Sequence, residues 1–247
     1  MSATMNASTK TTRTSRRKKT TKKPSVKKPR AKRSRQELIA DAVIEVLGRA
    51  GARGLTHREI DRFLRLPDGS TSYYFRRKDD LIAAGLERLN ALTLERHRKR
   101  YETVFQKAAS KKQVKLSDFA ETEFETYKQY ISSPPLYRNL ARVEFFIMAI
   151  RDKSLMEAQR RTMQPIFDLD EKMFRLLGAK NPRHAAAEYG DFRRGSFMTF
   201  VLVPNAVFGR DRTIEYYENV IRKIIADTDK MQEDLPLDAN IIKTIAS

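Results

Sequence analysis

Residues 55–75 read LTHREIDRFLRLPDGSTSYYF, and the order of caps, apolar positions and breakers in this stretch decides the fold. Thr56 stands as a helix N-cap with Glu59 three residues on as its reciprocal partner, and Ile60, Phe63 and Leu64 recur at the spacing of one buried helical face. Pro67 disfavours helix at Leu66 and Gly69 relaxes the backbone, so a tight turn is predicted between two short helices. The second of these covers residues 70–75, with Thr71 and Phe75 turned inward and Ser70, Ser72, Tyr73 and Tyr74 left outside.

Upstream, Ser34 and Glu37 have capping-box spacing ahead of Leu38, Ile39, Ala42, Val43, Val46 and Leu47, which predicts a helix ending near Gly51. Three helices with a tight turn between the second and third make a helix-turn-helix unit, whose usual partner is DNA. Downstream, Asp79 and Asp80 favour the N-terminal end of a long helix with Leu81, Ile82, Leu86, Leu89 and Leu92 along one side. Further helices are predicted at 118–132, 136–150, 154–177, 182–203 and 212–231, with a short one from Asp238. Pro134 and Pro135 separate two of them, Gly178 fits a C-terminal cap, and Pro165 predicts a kink or split. No strand pattern survives, so the predicted class is all-α.

Charge is distributed unevenly. Residues 1–36 hold 14 Lys and Arg with no Asp or Glu, so this tail carries most of the net charge of +19. Its remaining residues are too polar to bury and predict a disordered polycation, which favours nucleic acid because each neutralised phosphate releases counterions. Lys27, Lys28, Arg30, Lys32 and Arg33 are the expected nonspecific DNA contacts of this tail, extended by Pro24 and Pro29. The absence of Cys removes disulfides, thiol nucleophiles and thiolate metal sites. His57, His97 and His184 stand apart, with no phosphate-cradling Gly-rich loop and no His-Glu-x-x-His pattern. No enzyme, cofactor or metal site is therefore expected. Neither a secretory signal nor a membrane span is expected, since no apolar run approaches the roughly 20 residues a span requires.

The segment from Arg35 to Leu89 resembles the DNA-binding domain of the TetR family of bacterial transcriptional regulators, through Leu55 to Ile60, Leu66 to Phe75 and Lys78 to Leu81. The resemblance departs at Ser72, where a Tyr is frequent, at Arg65, where a small residue is common, and at Pro67, which leaves Asp68 to cap the third helix. It implies a homodimer on a roughly palindromic operator, a small-molecule effector bound in a helical C-terminal domain, and a cytoplasmic, nucleoid-associated place in a bacterium. The domains expected are a tail at 1–34, a DNA-binding unit at 35–80, a regulatory and dimerisation body at 81–231, and a C-terminal segment at 232–247.

Site residues follow from that frame. The N-terminus of the second helix, at Thr56, faces a phosphate, with His57 and Arg58 extending the contact. Arg58 either reaches a guanine edge or forms a surface pair with Asp61 or Glu59. By family position Asp68, Gly69, Ser70 and Tyr73 lie on the exposed side of the recognition helix, with Ser72 beside them, while Tyr74 and Lys78 clamp phosphates. Tyr74 has packing on the domain core as its alternative role. Phe124, Tyr127, Phe145, Met148, Met163 and Phe167 are expected around an effector pocket by family analogy, although such stripes are usually core. Phe197, Phe200, Tyr217 and Ile221 are expected at a dimer interface, because the last two helices hold more apolar residues than one thin layer buries. The rival function is an architectural DNA-binding protein dominated by its tail and lacking an effector.

Overall fold

The computed structural model describes residues 33–132, 136–202 and 209–231, with side chains described except at 129–132 and 197–202. Among them the chain forms nine helices and no strand: α1 (Arg35–Gly54), α2 (His57–Leu64), α3 (Ser70–Tyr74), α4 (Lys78–Ala109), α5 (Leu116–Ser132), α6 (Leu136–Arg151), α7 (Lys153–Leu176), α8 (Pro182–Leu202) and α9 (Arg210–Thr228). The described residues from Ser34 onward make one compact unit.

Both halves of the first capping box form. Ser34 Oγ accepts from the Glu37 amide at 3.1 Å, and the Glu37 carboxylate accepts from the Ser34 amide at 2.9 Å, an arrangement whose loss costs about 1 kcal/mol. Gly51 breaks α1 from within at φ 67°. At α2 only half of the expected box exists: Thr56 Oγ1 accepts from the Glu59 amide, but the Glu59 carboxylate turns to Arg62. Phe63 is 40% exposed rather than buried, because the inner face of this short helix centres on Ile60 and Asp61 and leaves Phe63 at its edge.

Helix α2 ends at Arg65 in the left-handed region, φ 54° and ψ 45°. The Arg65 amide donates to the Arg62 carbonyl and the Leu66 amide to the Asp61 carbonyl, a Schellman closure that glycine normally occupies. A side chain in this region costs about 1 kcal/mol. Arg65→Gly is therefore expected to stabilise the protein by about 0.5–1 kcal/mol in urea unfolding, part of the relief being offset by the looser unfolded chain. An unchanged or lower midpoint would show the arginine held there by something other than tolerance of strain.

Two apolar clusters organise the remainder. The first gathers α1, α2, the first half of α4, α6 and the start of α7 around Leu47, Leu55, Ile60, Leu86 and Phe145. The second gathers the latter part of α4 with α5, α7, α8 and α9 around Tyr101, Phe119, Phe174, Tyr189 and Ile221. Helix α4, 32 residues and about 48 Å long at its ideal rise, passes through both. Helix α1 meets its neighbours through glycines. A Cβ on Gly48 would collide with the backbone carbonyl of Tyr137 in α6, and one on Gly85 of α4 would collide with the Val43 side chain. Pro165 does not split α7, which continues through it as one helix. Leu155 on one side and Ile166, Met173 and Phe174 on the other are buried, and that packing outweighs the roughly 3 kcal/mol an interior proline costs.

One face of α4 buries polar side chains at helical spacing: Asn90, Thr93, His97 and Tyr101. Asn90 Nδ2 donates to Gln159 Oε1 and Thr162 Oγ1 on α7, at 3.1 and 2.7 Å. Arg142 of α6 donates to Thr93 Oγ1 at 2.8 Å, and Tyr101 donates its hydroxyl proton to Asp170 of α7 at 2.7 Å. The same Asp170 accepts from Arg193 of α8 at 2.8 Å, while Arg100 of α4 pairs with Glu123 of α5 at 3.2 Å. The body is thus cross-linked through a polar seam as well as an apolar core. Apolar periodicity gives no sign of this seam.

Candidate nucleic-acid interface

The α2–turn–α3 unit is built around one buried carboxylate. Asp61 is 1% exposed, and its oxygens accept from the Gly69 amide at 2.9 Å, the Thr71 amide at 2.8 Å and the Thr71 hydroxyl at 2.6 Å. Asp68, expected to cap α3, does not do so. Gly69 is the capping position, without a side chain, and the carboxylate that closes the helix start arrives from α2 instead. Gly69 sits at φ 87°, a conformation that favours glycine, and this explains its presence more directly than close approach to DNA.

The far end of α3 is fixed by His57, whose Nε2 lies 2.7 Å from the Phe75 carbonyl and so donates to it. His57, expected to extend a phosphate contact, has this ring nitrogen committed to holding α3 against α2 and retains only Nδ1 for other partners. Ser70 similarly directs its hydroxyl proton to the Pro67 carbonyl at 2.6 Å, leaving its oxygen only as an acceptor. A five-residue helix is too short to persist alone, so these tethers, together with buried Thr71, hold it in place.

What α3 presents outward is Ser72, Tyr73 and Tyr74. Tyr73 is 81% exposed and meets Tyr74 edge to face with ring centroids 5.1 Å apart, while Tyr74 is 39% exposed. Arg58 is exposed and has no ion-pair partner among the described residues; of its two expected partners, Asp61 is taken by α3 and Glu59 by Arg62. Lys78 opens α4 with its amine 3.3 Å from the Ala52 carbonyl, beside exposed Arg76 and Arg77. Thr56, Arg58, Ser72, Tyr73, Tyr74 and Lys78 thus reach the surface of the same three-helix unit, and Asp68 is exposed in its turn. Of the tail contacts only Arg33 falls within the described residues; Lys27, Lys28, Arg30 and Lys32 lie outside them.

The other expected sites do not gather in the same way. Phe145 and Met148 pack with the first cluster, and Phe124, Tyr127 and Phe167 with the second. Met163 is half-buried on α7. Only Met148 among the six lines a cleft of about 250 Å³ where the start of α4 meets the α6–α7 junction, alongside Asp79, Ile82, Arg151 and Asp152. Tyr217 and Ile221, expected at a dimer interface, are buried inside their own chain against the second cluster, because this face of α9 closes the bundle. Phe197 and Phe200 lie among the residues whose side chains are not described. No helix among the described residues is long and apolar enough to cross a membrane.

No protein-family model and no curated protein sequence matches the chain. Solved structures do. A regulator of transcription from Pseudomonas aeruginosa PAO1 superposes with a TM-score of 0.62 at 18% identity, over 79% of this chain and 92% of that one. A member of the TetR family from Streptomyces coelicolor A3 superposes with a TM-score of 0.55 at 22% identity, over 78% of this chain and 98% of that one. The multidrug binding protein EbrR, complexed with malachite green, gives 0.53 at 21% identity over the same shares. The all-α chain therefore has the fold of TetR-type regulators, a helix-turn-helix unit followed by a helical body.

Proposed function

We propose that the chain is a TetR-family transcriptional regulator, a homodimer that occupies a roughly palindromic operator through α2 and α3 of each copy and releases it when a small molecule enters the helical body. Residues 35–80 are the DNA-reading unit, 81–231 the regulatory and dimerisation body, 1–34 a cationic tail that adds nonspecific affinity, and 232–247 a C-terminal segment. The observation that carries the reading is the Asp61 anchor. A buried carboxylate and a histidine together fix a five-residue helix whose outer side is polar and aromatic and whose flanks are cationic, which suits base edges with phosphates on either side.

Small-molecule control is supported by the multidrug binding protein of like fold. The connectivity provides a route for it. Helix α4 leaves the DNA-reading unit and enters the second cluster, and α6 packs on α1, so a shift of either helix in the body re-aims α3. Two heads must meet successive major grooves about 34 Å apart, and a body that changes their separation decides whether both can bind.

Selection from random duplex DNA tests this, with the full chain and a chain beginning at Arg35 compared at two salt concentrations. Both are expected to enrich one palindrome, the full chain more tightly and with the steeper salt dependence. The tail's 14 cations in residues 1–36 are the observation behind the architectural rival. If the shortened chain enriches nothing while the full chain binds every sequence, the rival is right.

A further inference from the structure

Helix α6 is apolar on two sides. Ala141, Phe145 and Ala149 are buried against the first cluster, with Tyr137 and Met148 packed beside them. On the other side Leu136, Leu140, Phe146, Ile147 and Ile150 are 39–61% exposed. The remaining exposed large apolar side chains among the described residues are spread out: Phe63 on α2, Tyr73 and Tyr74 on α3, Tyr216 on α9 and Met231 beyond its end. A helix with apolar residues all round belongs in an interior, and nothing among the described residues covers this second face of α6.

The spacing of that face is the spacing of a helix partner. Leu136, Leu140, Val143, Ile147 and Ile150 follow one another at intervals of four, three, four and three residues, which is how side chains recur along the seam between two packed helices. The seam is about 21 Å long at the ideal helical rise, and Phe146 flanks it one turn from both Val143 and Ile150.

The area of the face suits a second copy of the chain. At these exposures it leaves roughly 500 Å² of apolar surface in one strip, a size at which a patch on a soluble protein marks an interaction site. Two such strips covering each other bury roughly 1,000 Å² of apolar surface. Apolar atoms make up about 65% of a homodimer interface, so the whole contact amounts to about 1,500 Å². That falls inside the roughly 1,200–2,000 Å² of a stable pairing. The stripe on α9, by contrast, is already used inside its own chain at Tyr217 and Ile221.

We propose that the outer face of α6 is an interface between two copies of this chain, with Leu136, Leu140, Val143, Phe146, Ile147 and Ile150 of one packing on the same residues of the other about a two-fold axis near Val143. The inference deepens the reading of the chain as a homodimeric regulator, on which it rests, by naming the surface where the copies meet. A self-complementary patch of this kind closes as a pair and leaves no open end for further copies. It also sets the contact between copies one helix away from α1, because Gly48 of α1 lies directly against the Tyr137 carbonyl of α6. A change in the pairing is thereby passed to the helix that supports α2 and α3 without crossing the second cluster.

The chain contains no Cys, so a single introduced thiol can be joined only to a second copy. Val143→Cys in the full chain, treated with a short bis-maleimide, is expected to give a covalent dimer, and Glu102→Cys on the exposed surface of α4 far less of one. Phe146→Glu combined with Ile150→Glu places charge at two exposed positions, so the circular dichroism should be unchanged. The dissociation constant of the pair, measured by sedimentation velocity, is expected to rise at least about tenfold, since like charges are brought face to face. Leu140→Ala combined with Ile147→Ala, which adds no charge, should raise it several-fold. The proposal is overturned if Val143→Cys cross-links no better than Glu102→Cys, or if both double variants associate as the parent does. It is equally overturned if Val143→Cys reacts faster with maleimide in a chain ending at Met231 while the double variants associate like the parent, since residues 232–247 then cover the face. A chain that stays dimeric through these changes and still selects its palindrome removes this inference alone. A parent chain that sediments as a monomer at every concentration removes the homodimer reading itself.

Discussion

Asp61→Ala is expected to lower affinity for the selected operator at least about 100-fold while the second cluster remains folded. The substitution leaves two backbone amides and the Thr71 hydroxyl facing a space with no acceptor. Each buried donor so abandoned costs about 1–3 kcal/mol, and hydrogen bonds to a charged acceptor lie at the upper end of that range. Helix α3 has no side-chain cap of its own and spans five residues, so without Asp61 its N-terminal end keeps only the local turn contact of Ser70 with the Pro67 carbonyl. Two controls sharpen the result. Asp68→Ala, at the position the sequence pattern nominated as the cap, is expected to change stability by less than about 0.5 kcal/mol because Asp68 is exposed. Asp61→Asn, which retains one oxygen for Thr71 but turns an amide N–H₂ toward Gly69, should fall between the two. Fluorescence anisotropy on the operator, with far-ultraviolet circular dichroism to confirm folding, measures all three. Asp61→Ala binding within threefold of the parent would mean that α3 is positioned by its apolar contacts and that the carboxylate is incidental.

The Asp61 case also shows where sequence reasoning succeeded and where it could not reach. Helix positions were legible because they depend on neighbours a few residues away: Ser34 with Glu37, Thr56 with the Glu59 amide, and the breakers at Pro67 and Gly69. The partner of a buried polar group is set by the fold and lies far off in sequence. Tyr101 meets Asp170 across 69 residues, and Asn90 meets Thr162 across 72. Asp61 looks locally like another charged position on a short helix, and its intervals of 8 and 10 residues to Gly69 and Thr71 cross the turn between α2 and α3, where no helical period carries over. The α4 face did carry a signal, since Asn90, Thr93, His97 and Tyr101 recur at three- and four-residue intervals, but a search for apolar residues passes over it. For Tyr217 and Ile221 the limit of the sequence is a different one. An apolar stripe on the last helix marks burial without saying whether its own chain or a second copy covers it, and here the chain's own bundle does.

The second large effect is expected at Gly48. In α1 this residue lies so close to α6 that an added Cβ would fall within the carbonyl group of Tyr137. The atom in the way is backbone, so the clash cannot be relieved by a rotamer change, and one helix must retreat from the other. Overpacking of this kind costs about 3 kcal/mol when neither side yields easily, which lowers the melting temperature by roughly 6–12 °C in a chain of this size. Gly85→Ala makes the informative comparison. Its new Cβ meets Val43 and Phe145 side chains, which can re-pack, so about 1–2 kcal/mol is expected. The difference between the two has a functional reading. The α1–α6 seam joins the helix that supports α2 and α3 to the helix that carries Arg142, the α6 contact of the polar seam. Gly48→Ala should therefore raise hydrogen exchange in α1 and α6 together, and it should weaken the coupling between effector binding and operator release more than it weakens either binding alone. If Gly48→Ala melts like the parent, α1 and α6 are not pressed together at this position, and the path from body to DNA-reading unit runs through α4 alone.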